Sequence, residues 1–575
     1  MNKTILTNWL KICRPYRSKI IISFVLILLT AITAVLFPWL LRYLLDAIIN
    51  NKGVHALIIG TAAILITKLL ETVINHGHFY ITESVAKHLS SDLRKQVFGH
   101  LQKLPLKYYE EKQTGQIMAR ITSDIEVIEE AIKSELKESP TKLLILIGAA
   151  GIMIYMNFTM GILAAIIFPI LINALRYIRF RITKITEKIQ NDKAALSATL
   201  EESISGIRII KSCNAEQSQL DHFFRINNDI FKNSMYETKF NTVLGIFVGT
   251  FSSLAIAAIL ILGGHAITQH TMSTGQLVAF LFYMQVINSN TVKVFRGYIA
   301  IQKIKAASAR LFAITEQQPE EPIYRQLPSL PAIKGDIEFN GVEFSYNKRI
   351  PVLKNISFSV APGETVAIVG ANGAGKSTII KLLSRFYEPN AGFITIDKYP
   401  IQNFSIASLR KQIATVFQED LLFNCSIADN ISYGTKNPAP DKIKLAAQMA
   451  NADIFIKKLP DGYNTLTGDR GTKLSGGQRQ RIGIARALYR CPAILCLDEA
   501  LSYVDTESEL LIQDALKKIS ARHTVLIMAQ RPSTILNATK IIILDNGIVQ
   551  AVGTPKELLS NNPLYNHLLY GGTQT

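Results

Sequence analysis

Nine residues, Gly370-Ala-Asn-Gly-Ala-Gly-Lys-Ser-Thr378, constrain this chain more than any other stretch. They fit G-x-x-x-x-G-K-[ST], with Gly370, Gly375, Lys376 and Ser377 in the defining places. Residues 365–369, just before, are a short apolar run of the kind a buried parallel strand shows. Residues 379–383, just after, are mostly apolar and can begin a helix at once. A strand, a glycine loop and a helix N-terminus together make an anion site. Backbone N–H groups of the loop, from Gly370 through Asn372 and Gly373 to Thr378, can curl around phosphate oxygens, and the helix end adds partial positive charge. Lys376 would reach the β- and γ-phosphates of a nucleotide, and Ser377 would ligate Mg²⁺. The bland alternative, a glycine-rich turn without a ligand, does not account for a lysine and a hydroxyl residue in the required places.

The rest of the chain divides into an apolar half and a polar half. At 575 residues it is long enough for two or more domains. Its 48% hydrophobic content and mean hydropathy of +0.21 point to a membrane protein. Residues 20–41 carry no charge and are long enough to cross a bilayer. Residues 56–67 form a shorter uncharged run, continued past Lys68 and Glu71, which are spaced to pair on one helix face. Residues 143–175 and 240–292 are also uncharged, each broken once by a polar turn, so each reads as two spans. The expected count is six. Lys3, Lys11, Arg14, Arg17 and Lys19 precede the first run, which is too long for a signal peptide core and is read as a retained membrane anchor.

Charge gives the orientation. The expected outer connections, near 50–53, 157–160 and 268–274, are short and hold one basic residue, Lys52. The inner stretches, 76–142 and 176–239, are long and rich in Lys and Arg, which places both termini in the cytoplasm. Both inner stretches are poor in helix breakers and read as paired helical arms that reverse near Gly115 and Gly206, with turns around 120–125 and 205–211. The net charge of +18 follows from this arrangement, and no nucleic-acid recognition motif accompanies it. The five cysteines lack metal-ligand spacing and read as free thiols in a reducing compartment. A proline-rich polar stretch sets the boundaries: a membrane domain over 1–315, a linker over 316–334 and a second domain over 335–575.

Three further motifs lie in the second domain: Leu474-Ser-Gly-Gly-Gln478, Gln418 within Val-Phe-Gln-Glu-Asp, and Ile494-Leu-Cys-Leu-Asp498-Glu499. In identity, order and spacing these residues resemble the ATP-binding-cassette family. Asp505 stands where that family has its aspartate loop, and Gly468-Asp-Arg-Gly471 looks like the extra loop of its exporters. With six preceding spans, the resemblance covers almost the whole chain and is that of a half-size exporter of the lipid-flippase and multidrug-pump type. The fold class it implies is multidomain, an all-α six-helix transmembrane domain plus an α/β phosphate-loop domain with a helical subdomain.

The resemblance also assigns roles. Tyr346 would stack on adenine. Asp498, Ser377 and Gln418 would hold or sense Mg²⁺. Glu499 would act as the general base on the attacking water, with Gln418 and Gln530 beside the γ-phosphate. Ser475, Gly476, Gly477 and Gln478 would face the γ-phosphate of ATP held by a second cassette, so the active form is a dimer, with a homodimer the simpler expectation. The partners implied are the lipid bilayer and a hydrophobic or lipid-like substrate moved outward, in a bacterial plasma membrane with the ATPase domain in the cytoplasm. Gln530 departs from the family's histidine, and Asp498-Glu-Ala-Leu-Ser-Tyr-Val-Asp505 departs from its usual run. Two alternatives therefore stay open: one half of a heterodimeric exporter, and a membrane protein regulated by ATP with little turnover. Lys293 and Arg296, at the inner end of the sixth span, could attract an anionic head group or serve as interfacial anchors.

Overall fold

The computed structural model describes residues 3–50, 53–112, 114–162, 185, 188–189, 191–321, 327–347, 350–418, 421–498, 506–520 and 523–570. The chain divides into two compact units, one of residues 1–101 and 115–317, the other of residues 102–114 and 318–575.

The first unit is helical. A short helix, α1 (Lys3–Cys13), leads through a 3₁₀ turn (Arg14–Tyr16) into α2 (Arg17–Ile49). Then come α3 (Val54–Leu101) and, beyond a connection in the other unit, a continuous helix over Thr114–Met156 (α5 below). Among the described residues, four helices are long and apolar enough to cross a membrane: Thr7–Ile49, Val54–Leu101, Thr114–Met156 and Glu216–Thr268. The helix expected as the sixth span, Thr274–Thr315, is less apolar and is capped at its start by a reciprocal pair of bonds between Ser273 and Gln276. The expected fourth span, from the break at 157–160 to residue 175, falls mainly on residues outside the described set. At about 1.5 Å per residue, α3 is roughly 70 Å long, more than twice a bilayer core, so a bilayer covers less than half of it.

Side chains at the end of α2 and at the start of the Thr274–Thr315 helix tie these two ends together. Asp46, in the last turn of α2, accepts hydrogen bonds from Ser273 Oγ (3.0 Å) and Gly275 N (3.1 Å). A Cβ at position 275 would lie 2.5 Å from the Asp46 carboxylate, so glycine is required for this approach. Deeper in, Tyr283 is fully buried and donates to the Val35 carbonyl at 2.7 Å, within a core of Ala31, Ile145, Ala149, Met153 and Phe280. The Lys68–Glu71 pair read from the sequence is present at 2.8 Å.

The first arm reverses beside Gly115, but its turn precedes that residue and does not lie at 120–125. Residues 120–125 lie inside the Thr114–Met156 helix, where Arg120–Asp124 forms a π-type turn. The reversal is instead built on α4 (Leu106–Glu111), entered through extended Pro105 and left through extended Lys112. Proline disfavours helix in the residue before it and supplies no N–H donor, which is why the arm breaks there. The second arm reverses close to its expected place, at Gly206 and the short helix α6 (Ile207–Ser212), before α7 (Glu216–Thr268). The Thr274–Thr315 helix is α8.

The second unit is an α/β fold with two sheets. Strands β1 (Ile337–Phe344), β2 (Leu353–Val360), β4 (Ala391–Ile396) and β5 (Tyr399–Pro400) form an antiparallel sheet in the order β2-β1-β4-β5. The other sheet contains β3 (Thr365–Val369), β6 (Ile413–Val416), β7 (Ile494–Asp498), β8 (Thr524–Met528), β9 (Lys540–Asp545) and β10 (Ile548–Gly553), in the order β10-β9-β3-β8-β7-β6. All its pairings are parallel except the β9–β10 hairpin at the edge. Its strands are nearly continuous apolar runs because both faces are covered, β8 being buried along its whole length.

Candidate nucleotide site

Parallel register brings the motifs together. Met528 pairs with Asp498, Leu497 with Val416, and Ile368 with Met528, so β3, β6, β7 and β8 end side by side. Ligands of open parallel sheets bind outside those carboxyl ends. The phosphate loop leaves β3 there, Gln418 follows β6 by two residues, Asp498 closes β7 and Gln530 follows β8 by two.

The shape of the loop rests on its glycines. Gly375 has φ of +102°, and a Cβ there would lie 2.7 Å from Leu353 Cδ2. That backbone starts helix α9 (Lys376–Leu383) with its first N–H groups turned toward the loop. The Lys376 ammonium is buried and donates to the carbonyls of Gly370 (2.9 Å) and Ala371 (3.1 Å). Ser377 Oγ donates to Asp498 Oδ1 at 2.8 Å, which joins the two expected magnesium ligands, 121 residues apart, into one oxygen pair. Thr378 Oγ1 lies 3.1 Å from the Tyr346 hydroxyl. Gln530 Nε2 donates to Asn372 Oδ1 at 3.0 Å, so the departing residue lies against the loop. A glycine cradle, a buried ammonium and a hydroxyl–carboxylate pair fit a nucleoside triphosphate with a hard divalent cation. In β7, burial pushes the Cys496 thiol up to about 12, so it stays protonated and unreactive.

Ser475 caps helix α10 (Gly476–Tyr489): its side chain accepts from Gln478 N at 3.3 Å, and Gln478 Oε1 accepts from Ser475 N at 3.0 Å. A helix leaves the N–H groups of its first turn without acceptors inside the helix, so such a terminus can donate to an anion. Glu499 and Asp505 lie outside the described residues.

Sequence reasoning missed a cluster beside Tyr346. Tyr346 packs edge-on against Phe344 and Tyr387, with the Lys381 ammonium 5.3 Å from its ring centre. Lys381 donates at 2.8 Å to Glu110 of α4, and the Tyr387 hydroxyl donates to the same carboxylate. Burial works against the Glu110 carboxylate, but the bonds from Lys381 and Tyr387 outweigh it and hold its pKa below the usual glutamate range. The Tyr387 phenol is pushed up by burial and by Glu110. No local signal marks Glu110, because it precedes Lys381 by 271 residues.

Gln530 yields a graded prediction. A glutamine amide donates one hydrogen bond but carries no proton or charge, and a preorganised donor at developing phosphate charge is worth about 10²–10³ in rate. Single-turnover hydrolysis should therefore rank Gln530→His fastest, the parent intermediate and Gln530→Ala slowest, with similar ATP affinity throughout. Equal rates in all three would remove Gln530 from the reacting phosphate.

Comparison with known proteins agrees along almost the whole length. Residues 20–291 match the ABC transporter transmembrane region, and residues 353–502 match the ABC transporter family description. The chain is 32% identical over 569 residues to a Staphylococcus aureus protein described as a multidrug export ATP-binding/permease protein, covering 98% of each. It is 32% identical over 563 residues to the ATP-dependent lipid A-core flippase of Syntrophus aciditrophicus, covering 97% of this chain and 93% of that one. The solved structure of a bacterial Atm1-family ABC exporter with ATP bound superposes with a TM-score of 0.85 at 26% identity, covering 97% of this chain and 99% of the other.

Proposed function

Because the chain belongs to the ABC transporter family, as a half-size exporter that couples ATP hydrolysis to transport, we propose that two identical copies move an anionic, lipid-like molecule outward across the membrane. The observation that carries the substrate class is a group of cations at the inner ends of two spans. Lys142, half-buried at the start of the apolar part of α5 (Thr114–Met156), lies within electrostatic range of Lys293 on α8. Lys293 pairs with Glu138 at 3.3 Å, and Arg296 is exposed one turn further along α8. Glu138 and Glu71 also lie near Lys142, so part of this positive charge is already met, and the remaining excess at the inner ends suits an anionic head group. In reconstituted vesicles, anionic lipids should stimulate ATPase activity more than zwitterionic ones. Lys142→Ala with Arg296→Ala should cut that stimulation about fivefold while leaving basal turnover intact. Equal stimulation by both lipid types would remove the anionic head group from the proposal.

Two features favour a second copy as the partner. The signature helix α10 presents a capped N-terminus in a chain with one phosphate loop, so pairing two copies completes two sites. The turn of the second arm carries exposed Ile207 and Ile209, and the cassette carries a stacked, exposed Phe423–Tyr433 pair with rings 4.3 Å apart. Apolar surfaces of this kind mark interfaces, and two copies would supply covers for both.

In the reaction, Lys376 and the loop N–H groups hold the β- and γ-phosphates. Ser377 and Asp498 would hold Mg²⁺, which supplies charge neutralisation on the phosphates. Glu499 takes a proton from water as its oxygen bonds to the γ-phosphorus and the bond to the bridging oxygen breaks. Gln418 and Gln530 orient the water and the γ-phosphate oxygens. ATP favours the closed cassette pair, and hydrolysis releases it, which drives the membrane domain between two states. The cassettes would work in the cytoplasm of a bacterial cell, beneath the plasma membrane.

Glu110 is assigned the link between the nucleotide and the first arm, since α4 joins the arm helices and its carboxylate is held by Lys381 and Tyr387 beside Tyr346. Glu110→Ala should leave ATP affinity within a few-fold and reduce substrate stimulation about tenfold, within the usual range of coupling energies. The sign with pH follows from the depressed Glu110 pKa. The latch is intact above the ordinary glutamate range and is lost as pH falls through the lowered value. Stimulation should therefore fall at acidic pH in the parent and be flat in Glu110→Ala. An unchanged profile in the mutant would detach α4 from coupling.

A further inference from the structure

A cavity of about 360 Å³ lies in the first unit, where α1, α2, α3, α5 and α8 meet. Its volume falls in the range of small-molecule sites, about 300–1,000 Å³. The walls are mainly apolar, from Trp9, Ile20, Val85 and Ile304 among others, with Ser23 and Thr82 hydroxyls 3.3 Å apart on one side. The one charged lining residue is Lys305, and no carboxylate lines the cavity among the described residues.

Its depth follows from the sequence. Ile20 and Ser23 stand at the start of the first uncharged run, directly after Arg14, Arg17 and Lys19, which the positive-inside rule sets at the cytoplasmic face. Trp9, an aromatic of the interfacial type, is fixed by donating to Ser308 Oγ at 3.0 Å. The apolar chamber therefore lies at the cytoplasmic end of the first span, and Lys305 is one of its lining residues. Basic pockets between spanning helices on that side are suited to anionic lipids, whose acyl chains match the walls and whose head groups match the cation.

We infer that this cavity holds an anionic phospholipid of the cytoplasmic leaflet as a resident lipid, with a chain among Trp9, Val85 and Ile304 and its phosphate at Lys305. Lys305 is twelve residues beyond Lys293 on α8, about 18 Å along the axis, so the site is separate from the cations assigned to the substrate. Since five helices line it, an occupant braces the inner ends of the first, second, third and sixth spans against one another.

The chain has two tryptophans, Trp9 and Trp39, which makes the site directly readable. With Trp39→Phe as the parent, full-length protein is placed without nucleotide in phosphatidylcholine bilayers. Either brominated phosphatidylglycerol or brominated phosphatidylcholine is then titrated in. Trp9 fluorescence should be quenched at least threefold more effectively by the brominated anionic lipid. Val85→Phe, which fills the chamber, should reduce quenching by both lipids, and Lys305→Gln should remove the preference while leaving overall quenching. Equal quenching by the two lipids in the parent overturns the inference. So does a preference that survives both substitutions. Should Val85→Phe fail to fold, Lys305→Gln alone decides, because a generic lipid contact at Trp9 would keep its head-group preference.

Discussion

Glu499→Gln is expected to slow ATP hydrolysis by roughly 10²–10⁴-fold while leaving ATP affinity near that of the parent. The argument starts from Asp498. Its carboxylate accepts from Ser377 Oγ at 2.8 Å, at the end of a strand held between β6 and β8, so it is engaged with the hydroxyl proposed as its fellow metal ligand. The proton of the attacking water then needs another acceptor, and the next residue in the chain is a carboxylate. Glutamine keeps the size and hydrogen-bonding shape but cannot take the proton. The variant should accumulate with trapped nucleotide as a closed pair, seen as a stable dimer of the full chain by size-exclusion light scattering with ATP and Mg²⁺. Parent-like turnover would move the base elsewhere.

Lys376→Ala should fail one step earlier. The Lys376 ammonium is buried and is held by two loop carbonyls. From that position its charge meets the triphosphate at low local dielectric. Losing a charge-assisted hydrogen bond of this kind costs about 1.5–3 kcal/mol, or roughly 10–150-fold in ATP dissociation constant. Calorimetric titration separates the two variants: affinity lost in Lys376→Ala, affinity kept and turnover lost in Glu499→Gln. Equal ATP affinity in Lys376→Ala and the parent would contradict the phosphate-loop assignment.

These predictions rest on local patterns, and local patterns are what the sequence displays. The phosphate loop works through backbone conformation and nearest neighbours, so its glycines, Lys376 and Ser377 are readable in nine consecutive residues. Ser475 and Gln478 cap one helix turn from three residues apart, and Lys68 and Glu71 pair at the same spacing. The family and the exporter class were legible for the same reason. The first arm's reversal was not. The turn was expected around 120–125, but those residues hold helix as a π-type turn, whereas Pro105 breaks it and α4 follows. Glu110 was invisible because its meaning depends on Lys381 and Tyr387, which tertiary structure alone brings near. Tyr346 was read through adenine stacking alone, and its contacts to Thr378 and Tyr387 emerge only once β1, α9 and the segment after α9 are packed.

Directional movement of an anionic lipid is the most direct test of the central claim. In vesicles carrying the protein with its cassettes outward, a fluorescent phosphatidylglycerol is followed by chemical reduction of the label exposed on the outer leaflet. ATP with Mg²⁺ should carry the label inward, away from the reductant, and Glu499→Gln vesicles should show no such protection. Parent protein that hydrolyses ATP at full rate while the label stays evenly distributed would contradict the account.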